Sequence, residues 1–430
     1  MSSAIVPILA ALMLTPQPAV SIPVQPAVGV YTGPADTAEH DRFSAWLGTE
    51  AHYALDFVDD SQGWANIAKH SDWLIDPWSS WSEAKAHSRM VISVPMLNRA
   101  SSGQLAEGVG GAFDAHFRRL AREIVDKGLG AAIIRLGWEA NGDWFAWKAS
   151  ADPGLWKQYF RRIVGIFRSV QPKVAGQRRQ DFEFLLTYNV GASGTQIKFD
   201  TIYPGDDVVD ILGMDVFDHK YRDDASPPEA RWDELRHQEM GLEDFKAFAA
   251  RRGKPMSFPE WGLAQKDFDD NGGAGDNPYF IDRMADWLSA NAEDVRFHSY
   301  FNHLSGWTGD HRLASYANAR ARFKARFGLP VPPADTKSPT VALTSPRDGA
   351  GVRANLRVAA SAGDARGVAG VQFLLNGRNL GTEDRYAPFE ASWDTRKEPD
   401  GTYAITAVAR DVADNITTSA TRVVVVRNRE

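Results

Sequence analysis

The residue types that offer chemistry are two glutamates with similar surroundings. Glu139 follows the run Ile133-Ile134-Arg135-Leu136-Gly137-Trp138 and precedes Ala140-Asn141-Gly142-Asp143-Trp144-Phe145-Ala146-Trp147. Glu260 stands in Phe258-Pro259-Glu260-Trp261-Gly262. Each is a carboxylate near the end of a short apolar run, with flat aromatic rings close behind. Two such carboxylates, about 5–5.5 Å apart, are what retaining hydrolysis of a glycoside needs: one acts as acid/base and one as nucleophile. The competing reading of the first stretch is a core Glu139 neutralised by Arg135, with the tryptophans as packing.

The surrounding pattern supplies elements to hold them. Apolar runs at Val28–Tyr31, Tyr53–Val58, Met90–Pro95, Ile133–Leu136, Phe184–Tyr188, Val209–Val216, Pro255–Pro259 and Phe297–Phe301 read as eight strands. Helical spacing falls between them. Phe113, Phe117, Leu120, Ile124 and Val125 share one face, as do Trp156, Tyr159, Phe160, Ile163 and Phe167, and Leu242, Phe245, Phe248 and Ala249. A last helix is expected over Asp310–Phe327. Eight strands alternating with helices predict an α/β fold, a (β/α)8 barrel spanning 27–328, with function at the C-terminal strand ends. An open doubly wound sheet would carry a Gly-rich phosphate turn after its first strand, and none is present. Residues 329–338 are a Pro-rich linker. In 339–430 the period drops to two, with turn signals at Asn376-Gly377 and Asp400-Gly401, which predicts a small all-β Ig-like sandwich with Trp393 and Phe389 in its core.

Bulk properties narrow the classes. A net charge of −7 argues against a nucleic-acid surface. With no cysteine, disulfides, thiolate nucleophiles and Cys-based zinc sites are excluded. The apolar stretch Ala4–Leu14, followed by prolines and Ala19-Val20-Ser21, reads as a leader over 1–26 and predicts a secreted or periplasmic protein. No segment is long and apolar enough to suggest a membrane span. Asp267-Phe268-Asp269-Asp270-Asn271-Gly272 matches half of a calcium loop, but Pro278 stands where the bidentate glutamate belongs, and it reads as an exposed loop. The expectation is therefore an enzyme without metal or cofactor. Quaternary state leaves no mark in the sequence.

Together, Arg135 to Trp147 and Pro259-Glu260-Trp261-Gly262 resemble glycoside hydrolase family 26, a group of (β/α)8 enzymes best known as β-mannanases. The C-terminal segment, with Asp400-Gly401-Thr402-Tyr403, resembles a bacterial Ig-like module. The first resemblance implies Glu139 as acid/base and Glu260 as nucleophile in a retaining endo-β-glycosidase acting on a polysaccharide. Two alternatives stand beside it, a hydrolase trimming the producer's own exopolysaccharide and a catalytically silent glycan-binding barrel. Three positions differ from the family pattern: Trp138 replaces a histidine, Phe217 replaces a tyrosine that would donate to the nucleophile, and Asn302 lies where a tryptophan floor is usual. Candidate sugar contacts are Trp144, Trp147, Trp261 and Trp307 as stacking platforms. Tyr31, Asp56, Arg135, Asn141, Asp215 and Asn302 are candidate polar contacts.

Overall fold

The structure is a computed structural model. It describes residues 26–61, 63–67, 71–85, 88–170, 181–191, 195, 197–219, 226–266, 268, 272–328, 337–364, 368–385, 387–411 and 415–428. The proposed leader, most of the linker, and Asp267, Asp269, Asp270 and Asn271 of the calcium-like stretch lie outside these residues.

Eight parallel strands close into a barrel in sequence order. They are β1 (Ala27–Tyr31), β2 (Tyr53–Phe57), β3 (Arg89–Val94), β4 (Ile133–Leu136), β5 (Glu183–Asn189), β6 (Ile211–Phe217), β7 (Met256–Gly262) and β8 (Val295–Phe301). Every expected strand is present, with ends moved by a few residues. The expected helices form as Asp114–Asp126, Pro153–Ser169 and Leu242–Arg252. The last begins only at Ala317, because Leu304–Ser305 and Gly309–Asp310 pair as a small hairpin and Leu313–Ser315 is a single tight turn. Among the described residues, no helix is long and apolar enough to cross a membrane.

Strand alternation sorts the side chains. Leu212, Met214 and Val216 of β6 pack outward against helices, while Ile211 and Phe217 join Tyr31, Leu55, Val91, Ile133, Leu185, Phe297 and Phe301 in the interior. The interior therefore ends, toward the C-terminal strand ends, in a floor of aromatic rings. Tyr31 meets Phe57 at 5.0 Å and Phe301 at 4.9 Å between centroids, and Phe217 meets Phe301 at 5.7 Å.

Beyond the linker, two antiparallel-rich sheets face each other. One holds Thr340–Ser345, Asn355–Gly363 and Phe389–Asp394. The other is built on Gly401–Asp411 between Val368–Leu375 and Arg422–Val426. Phe389 and Trp393 are in the shared core with Val358, Phe373 and Ile405. Asn376 and Gly377 both take positive φ (49° and 77°), the geometry of a two-residue hairpin turn. Asp400-Gly401 is not a hairpin, since the strands on either side of it belong to different sheets.

Candidate active site

Glu139 does not end β4 but lies three residues past it, in a backbone conformation rare for a side-chain-bearing residue. Its φ is 52°, and Gly137 just before has φ 57°. A non-glycine residue held this way costs about 1–3 kcal/mol, so the surroundings must hold it. Two hydrogen bonds do: Glu139 N–H donates to Thr187 O on β5 (3.0 Å), and Gly142 N–H donates to Glu139 O (2.9 Å). The turn points the carboxylate at two donors. Asn189 Nδ2 bonds Oε1 at 2.7 Å, and Trp144 Nε1 bonds Oε2 at 2.8 Å. Burial of the carboxyl group pushes its pKa up to about 6, with the charge of Glu260 adding to the rise; the Asn189 bond, Arg135 and the Trp144 bond pull the other way. The charge of one carboxylate is thus felt by the other.

Glu260 reaches the barrel interior through a break in alternation. Met256 and Phe258 face outward and so does Trp261, an odd spacing. The pairing of β7 slips on both sides of Pro259, between Gly213 and Val216 on β6 and between Phe258 and Trp261 opposite β8. A one-residue bulge turns every later side chain to the other face. Glu260 is consequently turned inward, 8% exposed, and the neighbouring Trp261 outward.

Arg135, fully buried on β4, joins the acidic groups. Its Nη1 bonds Glu260 Oε1 at 2.5 Å and its Nη2 pairs with Asp215. Nε donates to Thr187 Oγ1 at 3.2 Å and Nη1 to Ser93 Oγ at 3.4 Å. Asp215 Oδ1 in turn accepts the backbone N–H of Glu260 at 3.1 Å. Burial raises the pKa of Asp215 well above its usual value, and Arg135 opposes that rise. Neither Arg135 nor Asp215 has surface to offer a sugar. Both are corrected from substrate contacts to groups that position Glu260.

Four other expected contacts are also corrected. Asp56 is fully buried and accepts from Ala35 N (2.7 Å), Phe57 N (2.7 Å) and Trp78 Nε1 (2.6 Å), which occupies it in holding the loop after β1. Asn141 is buried and ties the loop after β4 to β5, donating to Asn189 O at 2.9 Å and accepting Asn189 N–H at 2.8 Å. Trp147 is in the core, its Nε1 on Trp138 O at 2.9 Å and its ring stacked on Phe145. Trp261 packs outward against Phe323, with Nε1 on His298 Nδ1 at 3.0 Å. No face of either indole is open for stacking.

Trp144 (52% exposed) and Trp307 (76%) are the expected platforms that do reach solvent. Trp307 tips the hairpin after β8 and faces Arg99 across 5.4 Å. Tyr31 ends β1 with its ring in the aromatic floor, and the charges of Asp56 and Glu260 add to the burial that raises its phenol pKa. Asn302 spends Oδ1 on Leu313 N–H (2.9 Å) and its own N–H on Tyr31 O (2.8 Å), bracing the loop after β8. Trp138 packs on Phe57 and Phe145 and does not serve Glu139 with a donor. Asn189 does, and sequence reasoning missed it. The available signal was its place as the last residue of β5, the same rule that singles out the residues after β4.

The family model for glycosyl hydrolase family 26 matches residues 113–236, which contain β4 to β6 and Glu139. The barrel is similar to glycosyl hydrolase family 26. Glu260 lies outside the matched stretch, and what links it to Glu139 is the effect of each on the other's surroundings and their common neighbour Arg135. A second model, for a bacterial Ig domain, matches residues 339–407. A mannan endo-1,4-beta-mannosidase of Bifidobacterium adolescentis is 26% identical over 202 residues, 45% of this chain and 19% of that protein. The chain thus spans about a fifth of the length of this curated relative. In fold, a modular endo-beta-1,4-mannanase from Cellulomonas fimi aligns over 94% of both chains with a TM-score of 0.51 at 17% identity.

Proposed function

We propose that the family 26-like barrel is a retaining endo-β-glycosidase that hydrolyses a β-linked polysaccharide. The observation that carries the proposal is the pair Glu139, just past β4, and Glu260, on β7, both felt by Arg135 and with unequal surroundings. One carboxyl is desolvated with its pKa raised to about 6, and the other is locked to a guanidinium. Unequal carboxyl environments of this kind divide the roles of acid and nucleophile.

In the first step a Glu260 oxygen attacks the anomeric carbon, the bond to the leaving sugar oxygen breaks, and the Glu139 proton passes to that oxygen. Glu260 is then an uncharged ester. Arg135 remains paired with Asp215, so no buried cation is stranded. Loss of the neighbouring charge lowers the Glu139 pKa, and the now ionised Glu139 takes a proton from the incoming water, which attacks the same carbon and frees Glu260. Trp144 and Trp307 are proposed as sugar platforms, and Tyr31 as a hydroxyl partner. The relative's printed name makes β-1,4-mannan the first substrate to try, and the changed residues Trp138, Phe217 and Asn302 make other β-glycans necessary companions. Export is proposed from the apolar N-terminus; a chain retained in the cytoplasm of its producer would end that proposal.

The deciding experiment is reducing-end release from mannan, mixed-linkage glucan, xylan and bacterial exopolysaccharides, with the anomer of the product followed by NMR. Initial release of the β-anomer with a fall in viscosity is expected on at least one. Inversion overturns the mechanism, and binding without release identifies a silent barrel.

A further inference from the structure

Helix Asp76–Ala84 ends without the usual devices. Its C-cap, Lys85, is extended (φ −114°, ψ 117°), and no basic residue stands in its last turn. Lys85 turns its own charge to Asp41 and Glu50. A helix C-terminus leaves carbonyl oxygens unbonded and carries partial negative charge, which a cation or an αL glycine normally satisfies. The cation here comes from the Ig-like domain. Arg385 Nη1 donates to Ser82 O at 2.8 Å and to Lys85 O at 3.2 Å, and Nη2 donates to Glu83 O.

The arginine is itself aimed. Its Nε lies 3.4 Å from Glu383 Oε2, and Arg410 grips Glu383 through Nε (3.2 Å) and Nη2 (3.0 Å). Gly370, paired with Arg410, leaves room for this network, since a Cβ there would come within 2.6 Å of the Glu383 carboxyl carbon. The capped helix leads directly into β3 and so lies at the N-terminal strand ends. Glu139 and Glu260 are at the other end of the barrel.

We propose that the Ig-like domain docks at the N-terminal strand ends of the barrel, with Arg385 as the C-cap of helix Asp76–Ala84. It serves as a brace for the fold and is held away from the cleft, so it is not a glycan-binding arm. This inference rests on the two domains alone and is independent of the reaction assigned to the barrel. The test uses the full chain, comparing wild type, Arg385→Ala, Arg385→Glu and the control Arg357→Ala, which removes a different Ig-domain cation. Expected for wild type and the control are a single calorimetric transition and a compact scattering profile. Arg385→Ala should separate the transitions, enlarge the radius of gyration and speed amide exchange in the last turn of the helix. Arg385→Glu should do so more strongly, because it sets a negative charge at the negative helix end. Unchanged transitions, scattering and exchange in both variants would overturn the proposal. So would a loss of binding to insoluble polysaccharide in Arg385→Ala with soluble turnover intact.

Discussion

Asn189, the last residue of β5, donates from Nδ2 to Glu139 Oε1 at 2.7 Å, across a junction that the left-handed turn at Glu139 makes possible. A hydrogen bond to the ionised form lowers a pKa, so this contact limits how far burial and Glu260 can raise that of Glu139.

The pH profile follows from that balance. In the proposed reaction Glu139 must be protonated to act as acid, and its pKa of about 6 against an ordinary 4.5 keeps the proton on through mildly acidic pH. kcat/KM on substrates with poor leaving groups should fall as pH rises through about 6. Asn189→Ala removes a bond to the charged form, so the basic limb should move to higher pH. Glu260→Gln removes a neighbouring charge and should lower the Glu139 pKa, read by carbon NMR titration. A limb that stays put in Asn189→Ala would detach Glu139 from the profile.

The roles proposed for the two carboxylates separate by leaving group. Glu260→Ala should abolish turnover of every glycoside. Glu139→Ala should lose about 10²–10⁴-fold on polysaccharide, the usual contribution of a general acid, while sparing activated aryl glycosides. Steady-state rates on both substrate types check this, and equal losses on both would exchange or remove the assignments.

Arg135 carries the structural share of the site. Arg135→Met leaves Asp215 and Glu260 buried without their cation and should destabilise the barrel by about 3–5 kcal/mol in urea unfolding near neutral pH. Because burial raises the pKa of Asp215, this carboxyl can take up a proton in acid, so the loss should shrink as pH falls.

The tryptophans divide by exposure. Trp147→Ala and Trp261→Ala empty core sites and should cost about 3–5 kcal/mol of stability. Trp144→Ala and Trp307→Ala should leave the unfolding midpoint nearly unchanged and raise KM. Trp144→Ala should also shift the basic limb upward, as its indole bonds the same carboxylate.

The period of the apolar residues determined that strands alternate with helices, and the count of eight together with the missing Gly-rich phosphate turn favoured a closed barrel over an open sheet. The eight strands, the helices at Asp114–Asp126 and Pro153–Ser169, and the switch to period two after the linker were all legible on that ground. The two glutamates stood out in the sequence as carboxylates after strand-like runs with aromatics close behind, and the structure brings both within reach of the Arg135 charge. What only the tertiary structure decided is which way side chains point and who meets whom. The slip in β7 at Pro259 reverses alternation, turning Glu260 in and Trp261 out, and depends on pairing with β6 and β8, which no local pattern encodes. The same holds for Asp56 and Asn141, whose types suited a sugar but whose partners Ala35, Trp78 and Asn189 lie on other elements, while Trp147 folds into the core against Trp138 and Phe145 of its own loop. Asn189 and Arg385 make the point from the other side. Each completes a group far away in the chain, and such meetings follow from how the barrel closes and how the second domain docks on it.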